Sequence, residues 1–334
     1  MGYHHFILSE RELLAQYKAM KLSHGEIASR FGKHKSSIGR ELKRNHPELL
    51  PSEYFCVYAH RKAQSKRDNP KARFASVSLE IIDLIKKRLS LFESPKQLIG
   101  GLKLEGYKMP SHETIYQMIY ANHHGMGEYA EFLRRGRKKR RKRGIKGKKK
   151  QIIPNRRPIE ERPNIKGEFG YWEGDTVVGK DHQSEVLTLV ETFSKSYIAI
   201  KLNETSKKGV VEAIKEVRAR IGAEVFKTIT WDNSPIFASH QEVSEIMGCD
   251  CYFANPYRSW ERPLNEHCNG LLRQLFPKGT DFRSVTQAEI DFAVGLINNR
   301  PREVLDYKRP FEVFLSQPDI KCNKSDLIPV ALQT

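Results

Sequence analysis

The chain has 334 residues, and 58 Lys and Arg against 40 Asp and Glu give it a formal net charge of +18. That length predicts two or three domains, and a hydrophobic content of 39% excludes wholesale disorder. No apolar run approaches the roughly 18 residues of a membrane span, and the first residues lack the apolar core of a secretory signal. So large a cationic excess predicts a polyanionic partner, most often nucleic acid.

The five cysteines are scattered along the chain and form no Cys-x-x-Cys pair. They are Cys56, Cys249, Cys251, Cys268 and Cys322. We therefore expect neither a disulfide framework nor a structural zinc site, and a reducing compartment fits this cysteine usage.

The positive charge is concentrated in one half of the chain. Residues 1–150 have a net charge of +20, whereas residues 151–334 have a net charge of −2. A run from Arg134 to Lys150 carries 13 cations in 17 residues. We interpret residues 131–165 as a linker that also lies along DNA phosphates, with a plain solvated linker as the alternative. The cations assigned to DNA here are Arg137, Lys138, Lys139, Arg140 and Arg141.

Residues 1–60 carry the pattern of a helix-turn-helix domain. Ser9 and Ser23 each open a capping box, which predicts the N-caps of two helices. The predicted apolar face of the first helix consists of Leu13, Tyr17 and Met20. Gly32 ends the second helix, and a third begins near residue 35, which is the helix-turn-helix order. We expect its outward side chains to read a major groove, against the alternative of a basic three-helix bundle. They are Lys35, Ser36, Ser37, Arg40 and Arg44.

The same order recurs in residues 75–130, which we predict to be a second helix-turn-helix domain. Ser94 before Pro95 and, further on, Ser111 mark two helix starts, with Gly106 in the turn between them. The outward side chains predicted to contact DNA are His112, Thr114 and Gln117. This copy is less basic, so packing or a dimer contact is an equally weighted alternative.

The chain from residue 166 to 320 predicts one catalytic domain, followed by a tail over residues 321–334. Strands are expected at residues 172–178, 186–190, 197–200, 226–231 and 251–254, and helices at 206–221, 240–247, 265–276 and 287–299. The short gaps favour an antiparallel meander of the first three strands. This order of elements is that of a ribonuclease-H-like, retroviral-integrase-like mixed sheet. The fold class is therefore a multidomain α plus α/β protein with tandem N-terminal helix-turn-helix modules.

Three carboxylates fall at related places in that order. Asp175 lies on the first strand, Asp232 ends the fourth, and Glu266 lies in the first turn of the helix after the fifth strand. Although 57 and 34 residues separate them, the fold would bring them to one sheet edge. Three carboxylates can hold two Mg²⁺ ions for phosphodiester chemistry, and Mn²⁺ is expected to substitute. We therefore assign all three as catalytic and metal-binding residues.

The chain resembles the DDE transposases of the IS-thirty insertion-sequence family over about residues 6–315. The segments that carry the resemblance are residues 27–45, 94–121, 172–175, 231–233, 253–266, 269–274, 276–281 and 298–302. The resemblance implies a transposase that binds terminal inverted repeats, cleaves the ends and joins the 3′-hydroxyls to target DNA. The implied triad is Asp175, Asp232 and Glu266. Double-stranded DNA is the implied partner, with a homodimer or larger assembly on it and no membrane. The implied location is the bacterial cytoplasm, at the nucleoid.

Further DNA contacts are predicted beside the third acid, at Arg258, Trp260, Arg273 and Lys278. Packing is the alternative for the aromatic residue, and an ordinary surface cation is the alternative for Arg273. We expect His240 and His267 to contact DNA or water rather than metal, since Mg²⁺ prefers oxygen.

The sequence departs from the family pattern at Ser234, Pro235 and Pro263. Ser234 and Pro235 leave the geometry of the loop after Asp232 undetermined, whereas Pro263 is compatible with a helix that starts there. Two alternative functions remain at this point. One is a domesticated, non-catalytic DNA-binding regulator, and the other is a ribonuclease-H-like nuclease without strand transfer.

Overall fold

The computed structural model describes residues 5–45, 54–68, 74, 76–134, 153–163, 167–256, 258–318, 320 and 322. The chain forms two compact units, an N-terminal unit (Met1–Ser78) and a C-terminal unit (Leu79–Thr334). The finer domain limits predicted from the sequence stay predictions. None of the described helices is both long and apolar enough to cross a membrane.

The N-terminal unit contains four described helices: α1 (Leu8–Ala19), α2 (His24–Phe31), α3 (Lys35–Asn45) and α4 (Cys56–Asp68). The predicted helix-turn-helix is formed by α2 and α3. Ser23 caps α2 through the backbone N–H of Glu26, and Gly32 ends the helix with a left-handed φ of 58°. Ile27 from α2 and Ile38 from α3 are fully buried against each other's helix in one apolar cluster.

The predicted start of α1 is wrong, and of its predicted apolar face only Tyr17 packs against the core. The N-cap is Ile7, whose backbone N–H donates to the Glu10 carboxylate at 3.0 Å, and Ser9 lies inside the helix. Leu13 and Met20 are 42% and 65% exposed. The buried positions are instead Arg11 and Leu14. A cation takes a core position because its partner comes from another helix, which the hydrophobic pattern of α1 does not reveal.

That partner is Glu41 on α3. Arg11 Nε donates to Glu41 Oε1 at 2.7 Å, and both side chains are almost fully buried. The same oxygen accepts from Asn45 at 2.9 Å and from the Tyr54 hydroxyl at 3.1 Å. Burial and the neighbouring Glu41 charge raise the pKa of Tyr54 far above its ordinary value. The ion pair joins α1 to α3 and thereby sets the position of the helix predicted to read DNA.

Removing the Glu41 charge is expected to destabilise the N-terminal unit. Glu41→Gln leaves the Arg11 guanidinium buried without a counter-charge, which costs about 3–5 kcal/mol in comparable buried pairs. Hydrogen exchange of the α1–α4 amides measures the loss, with exposed Glu12→Gln on α1 as the matched control. Equal exchange rates in the two variants would contradict a structural role for the pair.

The C-terminal unit begins with the second predicted helix-turn-helix. Its helices are α5 (Leu79–Ser90), α6 (Pro95–Leu104) and α7 (His112–Tyr120). Ser94 caps α6 and Ser111 caps α7, as predicted. This module packs on the rest of the unit: Lys96 pairs with Glu303 at 2.7 Å. A Cβ added at Gly100 would lie 1.9 Å from the Tyr307 ring, so only glycine allows that approach.

One five-stranded mixed sheet organises the remainder of the unit. Its strands are β1 (Tyr171–Val178), β2 (Glu185–Glu191), β3 (Tyr197–Lys201), β4 (Thr228–Trp231) and β5 (Asp250–Phe253). The spatial order is β3-β2-β1-β4-β5. The first three strands form the predicted antiparallel meander, and β4 pairs in parallel with both β1 and β5. The predicted ribonuclease-H-like sheet is confirmed.

Helices cover both faces of the sheet, so side chains alternate between two apolar cores. The helices that follow the strands are α8 (Lys207–Ile221), α9 (His240–Met247), α10 (Pro263–Leu275), α11 (Gln287–Asn298) and α12 (Pro310–Leu315). Ile198 and Ile200 on β3 pack into the core that α8 closes, while Tyr197 and Ala199 pack into the core of α10 and α11. This layering fixes α10 against one face of β1.

Candidate active site

The pairing of β1 with β4 places the first two predicted acids side by side. Tyr171 is paired with Thr228 and Glu173 with Thr230, an offset of 57 residues. The same offset separates Asp175 from Asp232. Continuing the parallel register by two residues therefore brings both aspartates level at the carboxyl end of the sheet. The two side chains are half-buried there.

Helix α10 brings the third predicted acid to this edge. The helix starts at Pro263, two residues before the predicted start at residue 265, and Glu266 lies exposed in its first turn. Glu173 on β1 is buried, and its Oε2 accepts from the Asn265 backbone N–H at 3.0 Å. A carboxylate at a helix N-terminus accepts a hydrogen bond from an otherwise unpaired amide and interacts favourably with the helix dipole. Glu173 thus fastens the start of α10 to β1, two residues from Asp175.

The charges of Asp232 and Glu266 both act on Asp175. Burial raises the pKa of Asp175 to about 6, the Arg262 guanidinium opposes that rise, and the charges of Asp232 and Glu266 add to it. A carboxyl group responds in this way when other negative charges lie near it in a site of low polarity. The site therefore concentrates negative charge that a cation must balance.

Arg262 supplies the balancing charge in the described conformation. Its Nη1 lies 4.0 Å from Asp175 Oδ2 and its Nη2 lies 4.0 Å from Asp232 Oδ2. Nη1 also donates to the Gly174 carbonyl at 2.6 Å, which fixes the guanidinium between the two strands. The sequence shows this arginine four residues before Glu266, but no periodicity assigned it a role.

The donor set suits a hard divalent cation in its chemistry, since carboxylate oxygens are the ligands that Mg²⁺ prefers. In the part of the chain that the structure describes, no three His, Cys, Asp or Glu side chains are arranged closely enough to hold a metal ion. The Arg262 guanidinium lies between the aspartates instead. The ligand type therefore fits a divalent cation, whereas the described arrangement of the acids accommodates a guanidinium.

Neighbouring groups hold the two aspartates in place. Asp175 Oδ1 accepts from the Thr176 backbone N–H at 2.8 Å, and Oδ2 accepts from Asn269 Nδ2 at 3.2 Å. The Tyr197 hydroxyl in turn donates to Asn269 Oδ1 at 2.8 Å. Asp232 Oδ1 accepts from the Ser234 backbone N–H at 2.9 Å. Ser234 is thus compatible with an ordered loop after β4.

Most of the α3 residues predicted to contact DNA are exposed, and one of them, Arg40, is hydrogen-bonded within the helix. Lys35, Arg40 and Arg44 are exposed, as is Ser36, whereas Ser37 is half-buried. Arg40 donates to the Ser36 hydroxyl at 2.9 Å and to its carbonyl at 3.0 Å, so the guanidinium is held along the helix. Their contact with DNA stays a prediction.

The second module presents a weaker surface. His112 is exposed, but Thr114 is half-buried and its hydroxyl lies 2.9 Å from the Ser111 hydroxyl in the helix cap. Gln117 Nε2 donates to Glu113 at 3.2 Å. Two of the three predicted readers are thus engaged within α7, which suits the packing alternative as well as DNA contact.

The remaining predicted contacts differ in their surroundings. Trp260 is 69% exposed, and Arg258 and Lys278 are exposed. Arg273 is half-buried, donates to the Val178 carbonyl and lies 5.8 Å from the Phe282 ring centroid. The linker cations Arg137, Lys138, Lys139, Arg140 and Arg141 lie outside the described residues.

The prediction that His240 contacts DNA or water is wrong. Its side chain is buried, a ring nitrogen lies 2.8 Å from the Pro154 carbonyl, and its ring packs edge-to-face with Phe253. His267 lies beside Arg302, 3.2 Å from Nη1. Burial and three neighbouring arginines lower the pKa of His267 to about 4.

Two segments of the chain match known protein families. Residues 166–259 match the family described as integrase core domain, and residues 2–45 match the family described as helix-turn-helix domain. Among solved structures, the catalytic core domain of BIV integrase is 19% identical, with a TM-score of 0.36. The matched region covers 44% of this chain and 95% of the integrase chain.

Curated relatives match almost the whole chain. The transposase for insertion sequence element IS4351 of Bacteroides fragilis is 35% identical over 93% of this chain and 95% of its own length. The transposase InsI for IS30A of Escherichia coli is 34% identical over 92% and 83%. The transposase for IS1086 of Cupriavidus metallidurans is 32% identical over 96% of both chains. The chain belongs to the IS30 family of insertion-sequence transposases.

Sequence reasoning missed Glu173 and Arg262. A signal for Glu173 was present, because it lies two residues before Asp175 and hence on the same face of β1. It stayed unassigned because its partner is a backbone amide of a distant helix. The role of Arg262 depends on two strands at once, so no local pattern marks it.

Adding a methyl group at Gly174 is expected to disturb the site from within. A Cβ there would lie 2.1 Å from the Trp231 ring, next to Asp232, so Gly174→Ala must displace β4. Such overpacking costs about 1–3 kcal/mol. Urea unfolding followed by tryptophan fluorescence measures it, because all three tryptophans lie in the C-terminal unit.

Gly25→Ala on α2 is the control, because its Cβ would meet nothing closer than 3.8 Å. We expect the control to leave the tryptophan transition unchanged. A Gly174→Ala protein as stable as this control would show that the Trp231 ring can move aside without cost. The contact between Gly174 and Trp231 would then not hold β1 and β4 in register.

Proposed function

We propose that the protein binds the terminal inverted repeats of its insertion sequence, cleaves the ends and transfers the 3′-hydroxyl ends to target DNA. The observation that carries the proposal is the register of β1 with β4, together with the attachment of α10 to β1. These two features support a site formed by Asp175, Asp232 and Glu266 at one edge of the sheet. Membership of the IS30 family supports the same chemistry.

Asp175, Asp232 and Glu266 would hold two divalent cations, Mg²⁺ or Mn²⁺. Bound there, such ions activate an attacking oxygen and stabilise a leaving oxygen. The protein's own part is to place the oxygen ligands. The Thr176 amide and Asn269 orient Asp175, and the Glu173 carboxylate holds the start of the helix that carries Glu266. Arg262, 4.0 Å from an oxygen of each aspartate, would balance part of their charge when no cation is bound.

Recognition of the DNA ends is assigned to the helix-turn-helix modules. The exposed cations of α3, with Ser36 between them, suit contacts to phosphates and base edges of a major groove. α7 is the second candidate reader. Because two ends must be held together during transfer, a homodimer or larger assembly on double-stranded DNA is part of the proposal. The bacterial nucleoid is the expected place of action.

Charge removal at the triad tests the chemistry. Asp232→Asn and Glu266→Gln are each expected to reduce cleavage of labelled inverted-repeat DNA in Mg²⁺ by roughly a thousandfold. That is the rate equivalent of losing several kcal/mol of transition-state stabilisation. Glu245→Gln, an exposed position on α9, is the matched control and should cleave normally. A gel assay with a target plasmid follows cleavage and strand joining together.

The same assay separates the alternatives. Cleavage without joining would identify a nuclease that lacks strand transfer. Binding of end DNA without cleavage by the wild-type protein would identify a regulator. Undiminished cleavage in Asp232→Asn would sink the assignment of the triad.

Arg262 yields a prediction that does not depend on activity. Without divalent ions, Arg262→Gln leaves the clustered carboxylates unbalanced, so the C-terminal unit should lose about 1–3 kcal/mol of stability. Added Mg²⁺ should then stabilise the variant more than the wild type, because an ion replaces the missing charge. Thermal unfolding with and without Mg²⁺ measures both effects. Arg218→Gln, exposed on α8, is the control. An equal Mg²⁺ shift in all three proteins would contradict the role given to Arg262.

A further inference from the structure

A cavity of about 290 Å³ lies behind α10, on a helix face next to the one that carries Glu266. Its walls come from the α5–α6 turn, the chain around residue 132, helix α10 and residues 300–307, all within the C-terminal unit. The volume is close to the lower end of pockets that hold small ligands, roughly 300 Å³. It is thus large enough for one modest ligand rather than for a stretch of duplex.

Two buried arginines on this cavity have unmet hydrogen-bonding capacity. Arg300 is 2% exposed, and neither Nε nor Nη2 has a hydrogen-bond partner in the protein. Its Nη1 reaches only Gln274 Oε1, at 3.4 Å. Arg302 is 7% exposed and its Nε is unpartnered too. A buried donor left unsatisfied costs about 1–3 kcal/mol, so such donors are usually satisfied by a protein group, a water, an ion or a ligand.

The charge around the cavity is unbalanced in the same sense. Arg134 is a third cation on the wall, with its guanidinium against Gly270 of α10, where a Cβ would lie 2.8 Å from Nη2. Lys96 is neutralised by Glu303 at 2.7 Å. Three guanidiniums therefore face one volume without an acid of their own on its wall.

The nearest further acid compensates them only in part. Glu93 is buried behind the cavity, 3.5 Å from Arg88 Nε, and it also feels Arg309 and Arg300. Burial raises the pKa of Glu93 to about 7, so it carries only part of a charge at neutral pH. Burial and then the neighbouring Arg302 lower the pKa of Arg300 to about 9. An anion in the cavity would offset the excess positive charge on its wall.

The geometry of the walls indicates which anion. Arginine forks suit the oxygens of a phosphate, which accept two parallel hydrogen bonds. Phe92 and Phe132, an edge-to-face pair with ring centroids 5.1 Å apart, line the cavity together with Tyr307. Aromatic rings of this kind pack against nucleobases and sugars.

We propose that this cavity binds one phosphate-bearing nucleotide, with the phosphate on Arg134, Arg300 and Arg302 and the sugar or base against Phe92, Phe132 and Tyr307. The source is either a nucleotide of the DNA strand or a free nucleotide. The first choice rests on the proposed function, because a strand held here would lie on the helix that carries Glu266. The phosphate site itself stands without it.

Calorimetric titration of the full-length protein with dAMP, without divalent ions, tests the site directly. We expect binding that weakens by roughly tenfold in Arg134→Gln and at least as much in Arg300→Gln, since a hydrogen bond to a charged group is lost. Arg134 is exposed, so its variant should fold normally even if Arg300→Gln does not. Arg218→Gln on α8 is the charge-matched control. No dAMP binding, or equal binding in Arg134→Gln and this control, would overturn the proposal.

A photocrosslinking side chain in place of Phe132 distinguishes the two sources. Crosslinks to end DNA that dAMP competes away would support a nucleotide of the strand. Competition-sensitive dAMP binding without any DNA crosslink would overturn the strand source and leave a free-nucleotide site. Asp232→Asn should bind dAMP like the wild type, so failure of the triad chemistry and failure of this site give different results.

Discussion

The parallel pairing of β1 with β4 is the constraint on which the candidate site depends. An offset of 57 residues joins two strands that are distant in sequence, and the same number separates Asp175 from Asp232. A slip by one residue would turn one of the aspartates to the other face of the sheet. The fully buried Trp231, whose ring lies against Gly174, opposes such a slip. The core packing of a tryptophan thereby fixes the geometry of two acids.

The two aspartates can lie side by side because a neighbouring cation balances part of their negative charge. Arg262 lies between the two aspartates. The Glu173 carboxylate accepts a hydrogen bond from the first turn of α10. The C-terminal half of the sequence is nearly neutral, yet the structure separates its charges over a short distance. Glu266 lies on one face of α10, and Arg300 and Arg302 line the cavity behind the adjacent face. One helix thus borders the three acids on one side and the arginine-lined cavity on the other.

The sequence predicted most of the architecture because its signals were local. Capping residues marked α2, α6 and α7, and alternating apolar residues marked the strands, whose order determined the sheet. The errors occurred where a polar side chain depends on a distant partner. Arg11 occupies a core position because it pairs with Glu41, which lies 30 residues away in the sequence. The buried His240 contacts the Pro154 carbonyl, which lies 86 residues away. Arg262 and the paired cavity arginines belong to the same class, since tertiary contacts alone define their roles.

We propose above all that Asp175, Asp232 and Glu266 surround divalent cations. Fe²⁺ substituted for Mg²⁺ tests it most directly, because with ascorbate and peroxide it generates hydroxyl radicals that cut the backbone next to the bound ion. We predict that the fragments of the full-length protein map to cuts near residues 175, 232 and 266, three places that are far apart in sequence. Excess Mg²⁺ should suppress these cuts, and Asp232→Asn should abolish them. Cuts elsewhere, or cuts that persist in excess Mg²⁺ and in the variant, would contradict the account.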